Sequence, residues 1–180
     1  MLIYPHQLVV FDLETTDIDL GPPEIVEIGA VFLDTTLEEV GRFSQVVRPK
    51  KLENFNEFCQ QYTGISFAEV EAAKPFEKVW REFAEFTKWN NSVLAAWGTH
   101  FDVAILREEY RRAALSYPHK GMPFDVKSAV QYYCAREGFK PKTWGLWSVA
   151  RKFEVPVVEP GHRGLNDALT TVGVLRHISA

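Results

Sequence analysis

The sequence predicts an α/β domain: a mixed sheet with helices packed against it. Three observations carry this reading. The N-terminal part holds three strand-like segments in succession. Beyond it, strand and helix patterns alternate, as they do where helices join strands of one sheet. The first strand-like run, "LVVF" (8–11), is apolar at every position, which is what a central strand covered on both faces shows.

Taken in order, "QLVVFDLET" is the first strand and "EIVEIGAVFLD" the second. A turn near Thr35 and Thr36 leads to "EVGRFSQVVRP", the third, so the second and third strands form a hairpin. "NEFCQQYTGIS" is a short helix stopped at Gly64. In "PFEKVWREFAEFTKWN", Phe76, Val79, Trp80, Phe83 and Phe86 recur at helical spacing, and Pro75 suits the helix start. "SVLAAWG" is a fourth strand, followed by a helix from about Phe101 to Ala114, and "MPFDV" is a short fifth strand. Helices follow at "KSAVQYYCARE", "TWGLWSVARKF" and "LNDALTTVGVLRHI".

A chain of 180 residues suits a single domain, 1–180, with a sizeable core. With 46% hydrophobic and 24% charged residues, its composition is that of a globular protein and not of a disordered one. "MLIYPHQLVV" runs straight into the first strand, so no signal peptide is expected. No apolar run approaches the ~20 residues that span a membrane, and a soluble, cytoplasmic protein with no membrane partner is the expectation. Cys59 and Cys134 have no metal-ligand or CxxC spacing and read as idle thiols in a reducing compartment. The net charge of −4 argues against a nucleic-acid partner. That argument weakens if some carboxylates hold divalent cations, since two such ions would cancel the charge.

Asp12 and Glu14 are two apart on the first strand, so their side chains share a face. Either that strand is an edge and the face meets water, or the pair needs a proton or a cation between its charges. Asp102, in "LAAWGTHFDVAIL", lies just past the fourth strand. There it is open to a local role, completing a capping arrangement with Thr99. It is equally open to a site at the carboxyl ends of the strands, where ligands gather in α/β sheets. In "GHRGLNDAL", His162 lies in a glycine-flanked loop and Asp167 in the first turn of the last helix, where a negative charge is favourable on its own account. Taken together, Asp12, Glu14, Asp102 and Asp167 make a set of hard oxygen donors suited to Mg²⁺ or Mn²⁺. Two such ions about 3.5–4 Å apart promote phosphodiester hydrolysis. A histidine, whose ordinary pKa lies near neutrality, can then take the proton of the attacking water.

The order "FDLET", "WGTHFD", and His-x4-Asp in "HRGLND" resembles the DEDDh 3'–5' exonucleases of the ribonuclease H-like superfamily, over nearly the whole chain. "FCQQYTGIS" and "FDVKSAV" resemble segments of its ERI-like (enhanced RNA interference) members, with Tyr62 standing where leucine is common. The resemblance implies a five-stranded mixed sheet in spatial order 3-2-1-4-5, flanked by helices. It implies that Asp12 bridges two metal ions, that Glu14 and Asp167 complete one site, and that Asp102 supports the other ion mainly through water. His162 is the implied general base, and the backbone at Thr15 the implied contact for the terminal 3'-hydroxyl. The implied substrates are single-stranded RNA or DNA 3' ends, with RNA favoured and nucleoside 5'-monophosphates released. A DNA-proofreading exonuclease and a non-catalytic binding domain of the same fold remain alternatives.

Other residues have plainer readings. Trp80 and Trp97 read as core, and Trp144, after the basic "FKPK" loop, is open to packing or to base stacking. Lys140 and Lys142 are open to phosphate contacts, with solvated loop charges the plainer reading. "REEYRR" (107–112) reads as a solvated helix face with Glu108–Arg112 support. His100 matches no motif and reads as structural.

Overall fold

The computed structural model describes residues 3–88, 91–119 and 121–180. Trp89 and the last residues of the "PFEKVWREFAEFTKWN" pattern lie outside the described residues. The described residues form six strands: β1 (Gln7–Thr15), β2 (Ile25–Leu33), β3 (Glu39–Arg48), β4 (Lys74–Pro75), β5 (Ser92–Ala96) and β6 (Phe124–Asp125). The helices are α1 (Glu57–Thr63), α2 (Phe67–Ala72), α3 (Phe76–Thr87), α4 (Thr99–Arg112), α5 (Val126–Arg136), α6 (Leu146–Lys152) and α7 (Gly164–Ser179).

The sheet order is β4-β3-β2-β1-β5-β6. The expected five strands and their order are all there, and the correction is one strand more. Lys74 and Pro75, read as the approach to a helix, pair in parallel with Val47 and Arg48 on the outer edge of β3. Proline is tolerated there because an edge strand need not donate on both sides. A second addition is α2. Its start carries a capping box, Ser66 with Glu69, that the sequence held in plain view.

β1 is central, antiparallel to β2 and parallel to β5, so the edge-strand alternative for Asp12 and Glu14 is removed. Its odd positions, Val9, Phe11 and Leu13, enter one core layer with Val79 and Phe83 of α3 and Val103 and Leu106 of α4. Its even positions Leu8 and Val10 enter a second layer with Val126 and Val130 of α5, Val149 of α6, and Ala168 and Val172 of α7. Each such side chain contributes about 1.5–3 kcal/mol on burial, so both faces of β1 are firmly held. The alternation puts Asp12 and Glu14 on the α7 face.

The β2–β3 hairpin turns where expected. Asp34 Oδ1 accepts from the backbone of Thr36 (2.8 Å) and Glu38 (3.0 Å). α1 is capped by Asn56 and ends at Gly64 in the left-handed region, φ 69°. The "REEYRR" face is less solvated than expected. Arg112 does reach Glu108 at 3.4 Å, but it also pairs with the buried Glu109 and donates to Pro23 O at 2.7 Å. No helix among the described residues is long and apolar enough to cross a membrane.

Candidate active site

Asp12 and Glu14 are carried on the end of β1, where the register with β2 shifts between Glu14 and Thr15. The extra residue, Val26, is on β2, and Thr15 is half-buried on the cleft. Asp12, Glu14, Thr15, Asp102 and His162 all line one cleft of about 560 Å³.

Asp102 arrives from α4, whose N-cap is Gly98 at φ 95° and not Thr99. The free amide and hydroxyl of Thr99 donate to Asp125 Oδ2, at 2.7 and 3.0 Å. Asp125 Oδ1 also accepts from Ser128 N at 2.7 Å, so one carboxylate caps both α4 and α5. These hydrogen bonds overcome burial and hold Asp125 below the usual carboxylate range. Asp102 is thereby released from the capping role that its position allowed. It is 5% exposed and accepts from Leu13 N at 3.3 Å, beside Asp12.

Asp167 arrives from α7, which approaches β2 very closely. A Cβ on Gly29 would lie 1.8 Å from Leu165 N, and one on Gly164 would lie 2.8 Å from Gly29 N. Two glycines therefore let the helix start meet the strand. Glu27, 1% exposed, locks this contact. Its carboxylate accepts from Gly164 N (2.9 Å) and from Arg163 Nη2 (3.0 Å) and Nε (3.1 Å).

His162 stands in the left-handed region at φ 56°. Its backbone N–H donates to Asp167 Oδ2 at 3.2 Å, and its ring Nδ1 is 3.9 Å from the same oxygen. The imidazole lies between two aromatic rings, Tyr62 with centroids 3.9 Å apart and Trp147 with centroids 4.4 Å apart. Trp147 Nε1 donates to Asp167 Oδ1 at 2.9 Å. Trp147 occupies its place only because residue 161 is glycine, since a Cβ there would fall 1.6 Å from the indole ring.

The electrostatics follow from crowding carboxylates at low exposure. Burial, then repulsion from Asp102, Glu14, Asp167 and Glu27, raises Asp12 well above the usual range, although part of its surface opens to the cleft. Burial and then Asp167, Glu27 and Asp102 push Glu14 up to about 8. Asp102 is pushed up to about 7 by burial, against the lowering effect of the Leu13 amide. Burial raises Asp167 too, partly offset by its donors Trp147 and His162. Burial and crowding therefore favour the protonated form of Glu14, the first of the two alternatives for this pair.

The donor set fits divalent cations. Glu14, His162 and Asp167 each bring one donor atom to within 4.8 Å of the others, and Asp12 and Asp102 add carboxylates on the same cleft. Four oxygen donors whose charges repel one another match a hard, doubly charged ion.

All six residues expected from sequence thus meet in one place. Four others were not assigned there. Glu27 was signalled only as a charge inside an apolar run. Asp125 looked like the end of a strand. Trp147 was one of five tryptophans, and Tyr62 was noted only for its difference from leucine. His100, read as structural, is exposed and lines the cleft, as does Lys127. Trp80, Trp97 and Trp144 pack against the cores. Trp97 Nε1 donates to Trp144 O at 3.2 Å, and Trp97 also walls the cleft.

A mixed sheet in this order carries an acidic cleft at the carboxyl end of its central strand, and the chain matches an exonuclease family over most of its length. The RNase_T family model, described as "Exonuclease", matches residues 9–175. The chain is 30% identical over 173 residues to a probable 3'-5' exonuclease, KapD of Bacillus subtilis, covering 92% of this chain and 80% of that one. It is 30% identical over 168 residues to a DNA polymerase III PolC-type of Caldanaerobacter subterraneus, covering 93% of this chain but only 11% of that one. It is 26% identical over 173 residues to human ERI1 exoribonuclease 2, covering 93% of this chain and 25% of that one. Among solved structures, the nuclease domain of 3'hExo, a DEDDh family member bound to rAMP, matches with a TM-score of 0.81 at 22% identity, covering 95% of this chain and 90% of that one. The chain belongs to the 3'–5' exonuclease family.

Proposed function

We propose that the chain is a two-metal-dependent exonuclease that hydrolyses phosphodiester bonds at single-stranded 3' ends and releases nucleoside 5'-monophosphates. The observation that carries this is the meeting of Asp12, Glu14, Asp102 and His162 on one cleft, with Asp167 beside Glu14 and His162, from three separate elements and a loop. In this reading all 180 residues form a single exonuclease domain.

Asp12, Glu14, Asp102 and Asp167 would hold Mg²⁺ or Mn²⁺. When bound, such ions ease deprotonation of water and stabilise the leaving oxygen. His162 takes the proton of the attacking water at a ring nitrogen. Asp167 orients His162 through the backbone N–H, and Trp147 fixes Asp167 in turn. The backbone at Thr15 meets the terminal 3'-hydroxyl. A cleft of about 560 Å³ lies within the ~300–1,000 Å³ of small-ligand sites, which favours gripping a chain end over covering a duplex. Such a grip needs few phosphate contacts, so the net charge of −4 is no obstacle.

RNA is the favoured substrate, supported by the ERI1 exoribonuclease relative and by the rAMP-bound neighbour. DNA is the second reading, supported by the polymerase relatives. The cytoplasm as compartment is supported by two free, buried cysteines. The test uses 5'-labelled single-stranded RNA and DNA of matched sequence with Mg²⁺ or Mn²⁺, beside EDTA and Asp102→Ala controls. The expected result is a ladder shortening from the 3' end, absent in both controls and faster on RNA. No cleavage of either strand by wild type would leave a non-catalytic binding domain.

A further inference from the structure

We propose that Tyr62 is a positioning residue for the general base: its ring presses the His162 imidazole against Trp147 and so aims it at the acidic cluster. This rests on the assignment of His162 as base given above. His162 sits on a loop, with a third of its side-chain surface open to solvent. Its own polar ties are the backbone donation to Asp167 and a ring nitrogen 3.9 Å from the same carboxylate. At that distance the ring contact is not a formed hydrogen bond. Polar contacts alone therefore leave the ring free to turn about its side-chain torsions. What limits that freedom is an aromatic ring against each face, Tyr62 stacked at 29° and Trp147 tilted at 34°. Held there, the ring keeps a nitrogen within 4.8 Å of donor oxygens on Glu14 and Asp167.

Tyr62 is itself held from below. It lies on α1 beside the buried Cys59 and Thr63, and Phe58, one turn earlier, stacks on its outer face at 5.8 Å. α1 is fixed at both ends by the Asn56 cap and by Gly64. The result is a column, Phe58–Tyr62–His162–Trp147, that transmits the rigidity of α1 and α6 to a loop residue. Burial and then Glu14, Asp167 and Asp12 raise the Tyr62 phenol above its ordinary range, which agrees with a ring close to the acids. Among the described residues its hydroxyl makes no hydrogen bond, so the ring itself does the positioning.

The experiment compares wild type, Tyr62→Phe, Tyr62→Leu and His162→Ala in the full chain. It reads kcat and KM on single-stranded RNA, and the proton NMR signal of the His162 ring in Mg²⁺. That signal is assigned by its loss in His162→Ala, and two flanking aromatic faces should shift it upfield. Tyr62 is 49% exposed, so both of its variants should fold. Tyr62→Phe should keep the upfield signal and kcat within about twofold. Tyr62→Leu should move the signal downfield and lower kcat about 10- to 100-fold with little change in KM, the cost of a misaimed reacting group. A Tyr62→Leu enzyme with wild-type or higher kcat would overturn the proposal, as would a wild-type signal without the upfield shift. Unimpaired His162→Ala would overturn the base assignment and the positioning role with it. The NMR signal would then still report whether the sandwich exists.

Discussion

Glu14 and Glu27 face each other directly across the β1–β2 ladder, yet only Glu14 opens onto the cleft. Glu27 is turned to Arg163 and the first amide of α7. One carboxylate of the pair is left for chemistry, and its partner fastens the helix that brings Asp167. Like charges directly opposite destabilise a sheet. Here the guanidinium of Arg163 beside Glu27 and the raised proton affinity of Glu14 ease the repulsion.

Removing Glu27 should therefore cost more than removing an exposed ion pair. Glu27→Ala leaves Arg163 and the Gly164 amide without their buried partner, a loss of about 3 kcal/mol or more. Urea unfolding should show a clear fall in the midpoint. Adding Arg163→Gln to Glu27→Gln should recover part of the loss, because the stranded charge goes too. A double variant less stable than the sum of the singles would contradict the pairing.

Metal loading should depend on pH in a defined direction. In the metal-free fold, Glu14 keeps its proton to about pH 8 and Asp102 to about pH 7, against ordinary values of 4.5 and 3.8. The folded chain then binds more protons than the unfolded one. Stability from these groups is full below their ordinary values and is lost as pH rises through about 7 to 8. A divalent cation displaces those protons, so its apparent affinity should rise with pH over the same window. At 100 times its Kd it adds ~2.7 kcal/mol, or roughly 5–10 °C in Tm. Thermal unfolding in EDTA and in Mn²⁺ at pH 5.5 and 8 checks both trends, and a metal shift no larger at pH 8 than at 5.5 would refute them.

Gly161→Ala should injure activity more than stability. The new methyl group meets the Trp147 ring first, a side chain and not backbone. Moving it takes the indole N–H from Asp167 and the lower ring from His162. A fall in kcat of about tenfold or more is expected, with a change in tryptophan fluorescence and a stability loss of about 1–3 kcal/mol. Gly29→Ala, which drives a methyl into the α7 backbone, should instead lose stability heavily.

His119 gives the fold an acid-sensitive point away from the cleft. It is 7% exposed, neither ring nitrogen has a partner among the described residues, and burial lowers it to about 4. The folded chain excludes a proton that the unfolded chain takes up near pH 6.5. Its contribution to stability is therefore present above 6.5 and is lost as pH falls toward 4, to a limit of ~3 kcal/mol. His119→Phe should flatten this loss, so the stability gap between variant and wild type should change steadily from pH 7 to 4.5. A constant gap would count against a buried neutral imidazole.

Much of this molecule was legible in the sequence because the strongest signals were local. The apolar run of β1, the spacing of Phe76, Val79 and Phe83, and the three acidic motifs each declare themselves within a few residues. β4 was hidden because two residues carry no periodicity and are strands only by virtue of β3. The cap of α4 stayed open in the sequence for a similar reason: Thr99 sits in the right place, but Asp125, from another strand, takes the capping role. Glu27, Trp147 and Tyr62 were legible as residues and not as partners. Their importance lies in contacts with His162, Arg163 and Asp167, far away in the chain, and no spacing rule relates them.

The alternation along β1 has a further consequence. Val9, Phe11 and Leu13 build one wall of the interior while Asp12 and Glu14 look the other way. A slip of one residue against β2 would push carboxylates into oil and phenylalanine into the cleft. Faulty strand pairing therefore cannot yield a folded but slightly blunted nuclease. The pairing that closes the interior is thus the same pairing that sets the acidic edge, and one cannot be lost without the other.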